Sequence, residues 1–162
     1  MERPKNPFHV VLIEPEIPQN TGNIARLCAA TGTHLHLVGK LGFRTDERAV
    51  RRAGLDYWHL VTVKEHPDME TCLRAVGCEI PLLFTTKVEN NYLDAPYNAG
   101  SVLVFGKETK GLSEEIRNRY PESLYAIPTV ENTVRSLNLA NSVSIVLYEA
   151  LRNTGALRRQ YS

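Results

Sequence analysis

The sequence has few cysteines and no long apolar run. Its three cysteines, Cys28, Cys72 and Cys78, are an odd number without C-x-x-C spacing, which argues against a disulfide framework and a zinc site. We interpret them as buried or incidental thiols in a reducing compartment. Charges precede a short apolar run at the N-terminus, which predicts a strand rather than a signal peptide, and nothing approaches the roughly 20 apolar residues of a membrane span. These absences predict a cytoplasmic protein with no membrane partner.

The sequence also lacks an excess of charge of either sign. The formal net charge of the 162 residues is +1, so a nucleic-acid-binding surface, if there is one, has to be local. A hydrophobic content of 43% and a charged content of 23% are ordinary for a globular protein. The length predicts one domain that is large enough to bury a core.

No metal site is expected. His34 and His36 in the segment THLHLVG would face the same side of a strand, as two metal ligands can. No carboxylate or cysteine lies near them in the sequence to complete a set of ligands.

Strand-like and helix-like segments alternate along the chain. Runs rich in β-branched and apolar residues predict strands at 8–14, 34–39, 60–66, 81–86, 101–106 and 123–128. Helices are predicted at 20–32, 46–54, 68–77, 113–120 and 139–152, with Asn20 or Thr21 as the cap of the first. The alternation predicts an α/β fold, in which one parallel sheet carries helices on both faces. Ligands of such sheets bind beyond the carboxyl ends of the strands, here after Glu14, Phe84, Phe105 and Ile127.

The loop FGKETKGLSEEI resembles a phosphate-binding loop in part. Gly106 and Gly111 fit the pattern G-x-x-x-x-G-K-[ST], but Leu112 stands where the lysine belongs. Lys107 and Lys110 fall at the wrong offsets to replace that lysine. Nucleotide hydrolysis is therefore disfavoured, while a tight glycine turn that exposes its backbone to a ligand remains.

The start of the last helix carries more polar side chains than a helix needs. One Ser or Asn suffices to accept hydrogen bonds from the free N–H groups of a first turn. Here Ser136, Asn138, Asn141 and Ser142 stand together with Arg135. The surplus suggests a ligand with many hydrogen-bonding groups.

Three blocks of sequence together resemble a known family. PEIPQNTGNIARLCAATG, LVFGKETKGLSEEI and IPTVENTVRSLNLANSVSIVLYEALR are similar to the three motifs of the SPOUT class of RNA methyltransferases. Within that class they most resemble the small tRNA 2′-O-methyltransferases that modify the wobble nucleotide. The similarity extends over nearly the whole chain, and the order and spacing of the motifs are specific.

The resemblance implies a fold, a cofactor and partners. It implies a single SPOUT methyltransferase domain over 1–162, with a C-terminal trefoil knot, and S-adenosyl-L-methionine as the cofactor. The substrate would be the anticodon loop of tRNA, with cytidine or modified uridine at the wobble position. The enzyme would be a homodimer with its active site at the interface.

The resemblance also implies roles for particular residues. Catalytic roles fall to Arg26, Asn20, Ser136 and Asn138. Cofactor-binding roles fall to Phe84, Thr85, Gly106, Glu108, Gly111, Ile127 and Ser136. Two alternatives stay open: a knotted RNA-binding module without catalysis, and a 2′-O-methyltransferase that acts on another RNA.

The segment KLGFRTDERAVRRAGLDYW is the predicted RNA-binding surface. Arg44, Arg51 and Arg52 can contact phosphates, and Tyr57 can stack on an unpaired base. The alternative is a solvated helix face whose arginines pair with Asp46 and Glu47.

Overall fold

The computed structural model describes residues 6–46, 48 and 57–159, and it contains one parallel sheet of six strands. The strands are β1 (His9–Ile13), β2 (His34–Val38), β3 (Val63–His66), β4 (Leu82–Phe84), β5 (Val102–Phe105) and β6 (Leu124–Tyr125). The helices are α1 (Pro18–Thr31), α2 (Met69–Val76), α3 (Glu114–Arg119), α4 (Leu139–Asn153) and α5 (Ala156–Arg159), with short 3₁₀ turns at Trp58–Leu60 and Tyr92–Asp94. The strand order is β3-β2-β1-β5-β4-β6.

The central strands are buried on both faces, which explains their nearly continuous apolar sequences. Every residue of β5 is buried, as are Val10 to Ile13 of β1. His9 of β1 lies level with His34 of β2 on one side and with Val102 of β5 on the other. The predicted parallel α/β sheet is therefore confirmed.

Helices cover both faces of the sheet, as predicted. On one face, Leu12 and Leu103 join Ile24 of α1 and Leu147 of α4 in the larger apolar core. On the other face, Val11 packs in a smaller core with residues of α2 and with Ile116 of α3. Each strand thus contributes alternate side chains to two different cores.

The predicted start of the first helix was wrong. The helix begins at Pro18, two residues before Asn20, and Ile17 is its N-cap without any capping bond from its own side chain. Proline suits the first helical position because it lacks an N–H group and its φ angle is already helical. Asn20 and Thr21 are instead buried within the first turns.

Two other predicted elements have different outcomes. Residues 58–60 form a 3₁₀ turn, so β3 is shorter than the predicted strand 60–66. The predicted helix 46–54 falls almost entirely outside the described residues. Among the described helices, none is both long enough and apolar enough to cross a bilayer.

Three histidines form a hydrogen-bonded chain across β1, β2 and β3. Nδ1 of His9 lies 2.9 Å from Nε2 of His36, and Nδ1 of His36 lies 2.9 Å from Nε2 of His66. Burial lowers the pKa of His36 to about 3 and that of His9 to about 4. Each neutral ring can donate one hydrogen bond and accept another, so the chain is satisfied while its members stay uncharged.

Acidification from pH 6.5 to about 5 should destabilise the protein. In this range a histidine with its ordinary pKa of 6.5 binds a proton in the unfolded state, while folded His36 does not. Stability is therefore complete above the unfolded pKa and falls as the pH drops. Carboxyl groups contribute little here, because their ordinary values are 4.5 for Glu16 and 3.8 for Asp68.

Denaturant titrations at both pH values measure this effect. The loss of stability should be smaller in His36→Gln than in the parent chain by on the order of 1 kcal/mol, after allowance for solvent screening. His59→Gln, at an exposed position, is the matched control and should behave like the parent. An equal loss in the parent and in His36→Gln would contradict the assignment.

Candidate active site

A cavity of about 590 Å³ lies at the carboxyl edge of the sheet. Its walls come from the loops that follow β4, β5 and β6, and from the segment before α4. This is the edge at which parallel sheets bind their ligands. Phe84 and Phe105 end two neighbouring strands, and their stacked rings lie 5.2 Å apart at the apolar side of the cavity.

The structure brings all the predicted cofactor residues together around this cavity. They are Phe84, Thr85, Gly106, Glu108, Gly111, Ile127 and Ser136. The loop after Glu14 was also expected at the site, but among the described residues its members do not line the cavity. That loop is instead hydrogen-bonded to Glu108, one of the residues that line the cavity.

The loop after β5 is a closed turn that only glycine permits. A Cβ atom on Gly106 would lie 2.1 Å from the carbonyl carbon of Gly111, closer than any real contact. The N–H of Gly111 donates to the carbonyl of Lys107 at 2.9 Å, and the φ angle of Gly111 is +66°. The absence of a side chain at Gly106 is therefore required by its contact with Gly111 in the same loop, before any ligand is considered.

Leu112, which disfavours a nucleotide-hydrolysis loop, has a structural role. Its side chain is 3% exposed and belongs to the core between the sheet and α3. A lysine at this position would place its ammonium group in that core rather than in the cavity.

The carboxylate of Glu108 is bound to the start of α1. Its Oε1 accepts from the N–H of Glu16 at 2.8 Å, and its Oε2 accepts from the N–H of Ile17 at 2.7 Å. Oε2 also accepts from Nδ2 of Asn20 at 3.3 Å. Because no side chain of α1 caps the helix, this distant carboxylate supplies the missing acceptor and a charge that suits the helix dipole.

The carboxylate of Glu16 in turn accepts hydrogen bonds from the loop after β5. Its Oε1 accepts from the hydroxyl of Thr109 at 2.7 Å and from the N–H of Thr109 at 3.1 Å. These two bonds hold the pKa of the Glu16 carboxyl below its ordinary value. The loops after β1 and β5 are therefore joined by hydrogen bonds in both directions.

Two amides continue this network to the last long helix. Nδ2 of Asn138 donates to Oδ1 of Asn20 at 3.1 Å. Oδ1 of Asn138 accepts from the N–H groups of Ala140 and Asn141, so Asn138 is the N-cap of α4. Asn138 is not among the residues that line the cavity, and its side chain is used in the cap. Ser136 and Ser142 do line the cavity.

The predicted catalytic residue Arg26 lies elsewhere. It is exposed on α1, its Cζ lies 4.8 Å from the ring centroid of Tyr57, and it does not line the cavity of its own chain. Tyr57 is 40% exposed, and the guanidinium group of Arg26 lies over its ring.

The predicted RNA-binding arginines are only partly described. Arg44 is exposed and forms an ion pair with Asp46, as the alternative interpretation of that segment expected. Arg51 and Arg52 lie outside the described residues.

Most of the lining residues were assigned no cofactor role from the sequence, although Arg135 and Ser142 belong to the polar cluster noted at the start of the last helix. The unassigned residues are Thr86, Lys87, Val88, Lys107, Thr109, Lys110, Ala126, Pro128, Thr129, Glu131, Arg135, Leu137, Leu139 and Ser142, together with Phe105. Most are direct neighbours of predicted residues in the same loops. The two lysines of the glycine turn were set aside because their offsets do not suit a triphosphate, although both reach the cavity.

Comparison with known proteins agrees with this architecture. The model of the SpoU rRNA Methylase family matches residues 7–148. The chain belongs to this family of methyltransferases.

Relatives of similar length share almost half of its residues. The tRNA (cytidine(34)-2′-O)-methyltransferase of Methylovorus glucosotrophus is 47% identical over 146 residues, which cover 90% of this chain and 94% of that protein. The enzyme of the same name from Escherichia coli K12 is 45% identical over 149 residues, covering 91% and 94%.

Solved structures share the fold. One from work on the 2-OH methylation of C/U34 on tRNA has a TM-score of 0.81 and 40% identity, covering 91% of this chain and 95% of that chain. The SpoU methyltransferase AviRb from Streptomyces viridochromogenes, in complex with the cofactor AdoMet, has a TM-score of 0.75 and 27% identity, covering 93% and 61%.

Replacement of Glu108 by glutamine should loosen the start of α1. The amide keeps one acceptor oxygen but loses the charge, so we expect a loss of about 1 kcal/mol in the free energy of unfolding. Denaturant titration measures it, with Glu122→Gln as the control at an exposed carboxylate in the turn before β6. Identical stability of the two variants would show that the charge of Glu108 does not act as a cap.

Proposed function

We propose that this chain transfers a methyl group from S-adenosyl-L-methionine to the ribose 2′-hydroxyl of the wobble nucleotide of tRNA, a cytidine or a modified uridine. One observation carries the proposal. The three motif loops meet at one cavity at the carboxyl edge of the sheet, in a chain that aligns along most of its length with tRNA (cytidine(34)-2′-O)-methyltransferases.

The cavity suits this cofactor in size and chemistry. Its volume of about 590 Å³ is within the usual range for a site that binds a small molecule. Phe84, Phe105 and Leu139 offer apolar walls for a flat base, while Ser136 and Thr85 offer hydroxyl groups. Backbone groups of the closed turn at Gly106 complete the set. When bound, the cofactor supplies a methyl group on a positively charged sulfur.

The chain's own contribution is mainly the positioning of the two reactants. A methyl group passes in line from sulfur to oxygen, so the rate depends strongly on how well the reactants are aligned. We propose that Arg26 orients a phosphate of the nucleotide and stabilises the charge that develops when the hydroxyl loses its proton. An arginine remains protonated, so its planar guanidinium group suits this role.

We propose a homodimer in which Arg26 serves the cavity of the partner chain. Arg26 is exposed on α1, and α1 packs beside α4. Ile145 and Tyr148 of α4 are 36% and 45% exposed, although the helix buries another face in its own core. Exposed apolar side chains on a helix that packs beside α1 suit an isologous contact that would complete each site.

The remaining parts of the proposal follow from the resemblance to the SPOUT class. We propose that residues 1–162 act as one catalytic domain, and that its C-terminal segment threads through a loop to form a trefoil knot. Asn20, Ser136 and Asn138 then hold the cofactor and substrate loops in place. Arg44, Arg51, Arg52 and Tyr57 contact the anticodon loop, and the enzyme acts on tRNA in the cytoplasm.

Binding of S-adenosylhomocysteine should raise the melting temperature, and ATP should not, because a ligand stabilises the folded state that binds it. Gly106→Ala should abolish the shift, since its new methyl group displaces the turn that lines the cavity. Gly77→Ala is the control at the end of α2: its φ of +79° makes alanine costly to stability, but nothing lies within 4 Å of the new Cβ and the shift with the ligand should remain. A shift with ATP, or an unchanged shift in Gly106→Ala, would refute the cofactor assignment.

Methyl transfer to tRNA should depend on Arg26. Arg26→Ala should fold and bind S-adenosylhomocysteine like the parent, yet methylate tRNA at least about 100-fold more slowly, because the nucleotide is no longer held in line. Arg26→Lys should restore little, since a point charge does not replace the planar fork. Arg74→Ala, at an exposed arginine on the other face of the sheet, is the control.

Mixed dimers and mapping of the methylated nucleotide extend this test. Arg26→Ala chains mixed with chains that cannot bind the cofactor should regain activity, because one cavity then combines two intact halves. No recovery despite proven subunit exchange would place Arg26 in its own site.

Methyl groups found only on another RNA would contradict the substrate, and cofactor binding without any transfer would identify a non-catalytic module.

A further inference from the structure

A second cluster of reactive side chains lies away from the cavity, on the face of the sheet that α2 covers. His36 and His66 come from the neighbouring strands β2 and β3, and Cys72 comes from α2. One donor atom from each of these residues lies within 4.8 Å of the others. His36 is 2% exposed and Cys72 is fully buried, so the group is enclosed by the fold rather than scattered over the surface.

The two imidazoles already point at each other. Nδ1 of His36 and Nε2 of His66 are 2.9 Å apart and share one hydrogen. Two nitrogens on a tetrahedral zinc ion, each about 2.0–2.1 Å from the metal, are roughly 3.3 Å apart. A metal ion between the two nitrogens therefore needs only a small separation of the rings, together with an approach of the Cys72 sulfur by at most about 1 Å.

The nitrogen of His36 that would not bind the metal, Nε2, has a hydrogen-bond partner that can orient the ring. Nε2 of His36 lies 2.9 Å from Nδ1 of His9 on β1. With a metal on Nδ1, Nε2 carries the hydrogen and donates it to His9. A hydrogen bond to the non-ligating nitrogen fixes the orientation and tautomer of a ligating histidine, and here the acceptor is a second imidazole.

We infer that His36, His66 and Cys72 form a zinc-binding site that joins β2, β3 and α2. Two imidazoles and one thiolate are the donor types that select zinc among the common divalent ions. On binding, the thiol of Cys72 releases its proton to solvent and the sulfur becomes a ligand as the thiolate. The hydrogen shared by His36 and His66 moves to the other nitrogen of the ring that carries it, so both imidazoles bind the ion in the neutral form. The fourth position is open to water on the side of His66, which is only partly buried. This site is independent of the proposed methyl transfer.

Neighbouring charges modulate this site in opposite directions. Lys64 lies close enough to lower the pKa of His9, His36 and His66, so its ammonium group opposes a divalent cation. Asp68 acts on His66 in the opposite direction and favours the cation. Because Lys64 is exposed, Lys64→Gln should leave the fold intact and strengthen zinc binding.

The test uses the full chain after treatment with a chelator. Zn²⁺ is titrated in competition with a chromophoric indicator, and Co²⁺ is added separately as a spectroscopic probe of thiolate ligation. We expect one equivalent of zinc, a thiolate-to-cobalt charge-transfer band, and a higher melting temperature with the metal. Cys72→Ala should lose the cobalt band, and His66→Ala should bind zinc at least about tenfold more weakly.

Matched variants separate the site from incidental binding. Cys78→Ala removes a thiol outside the cluster, and His59→Ala removes an exposed histidine, so both should bind zinc like the parent. Lys64→Gln should bind more tightly and keeps the test decisive if Cys72→Ala folds poorly. Absence of the thiolate band in the parent, equal affinity of Cys72→Ala and Cys78→Ala, or no effect of Lys64→Gln would overturn the inference.

Discussion

The carboxylate of Glu108 accepts three hydrogen bonds at the start of α1, and the arrangement of the site depends on them. It supplies the acceptor that α1 lacks in its own sequence. Through Asn20 the same carboxylate is linked to Asn138, which caps α4. The loop after β5, the start of α1 and the start of α4 are thereby held in one polar network. The N-termini of both helices depend on this network.

This network explains how a site made mostly of loops can be precise. The cavity is lined by turns whose positions follow from the closed glycine turn at Gly106 and from the cap of α4. The asparagines do not need to touch a ligand to matter, because they determine where the lining residues lie. Methyl transfer is a reaction in which such alignment accounts for much of the rate.

The two halves of the sheet carry different chemistry. The half formed by β4, β5 and β6 ends at the cavity, and the loops that follow these strands line it. The half formed by β1, β2 and β3 carries the histidine chain under α2. A zinc ion there would join one edge of the sheet to its covering helix, while the network of Glu108 secures the other side of β1. The proposed zinc site therefore concerns stability, and the cavity concerns catalysis.

The sequence by itself determined the alternation of strands and helices, the two-sided parallel sheet and the loops that form the cavity, with seven of its lining residues. Each of these follows from local patterns, because apolar periodicity, glycine turns and polar loops depend on residues that are close together in the sequence. Only the tertiary structure decided that Glu108 caps α1 from 91 residues away, and that Asn138 is occupied by its own helix. It also brought Cys72 to His36 and His66, which no spacing in the sequence suggests. These contacts depend on the strand order β3-β2-β1-β5-β4-β6, and strand order is set by the packing of the whole sheet rather than by any segment of it.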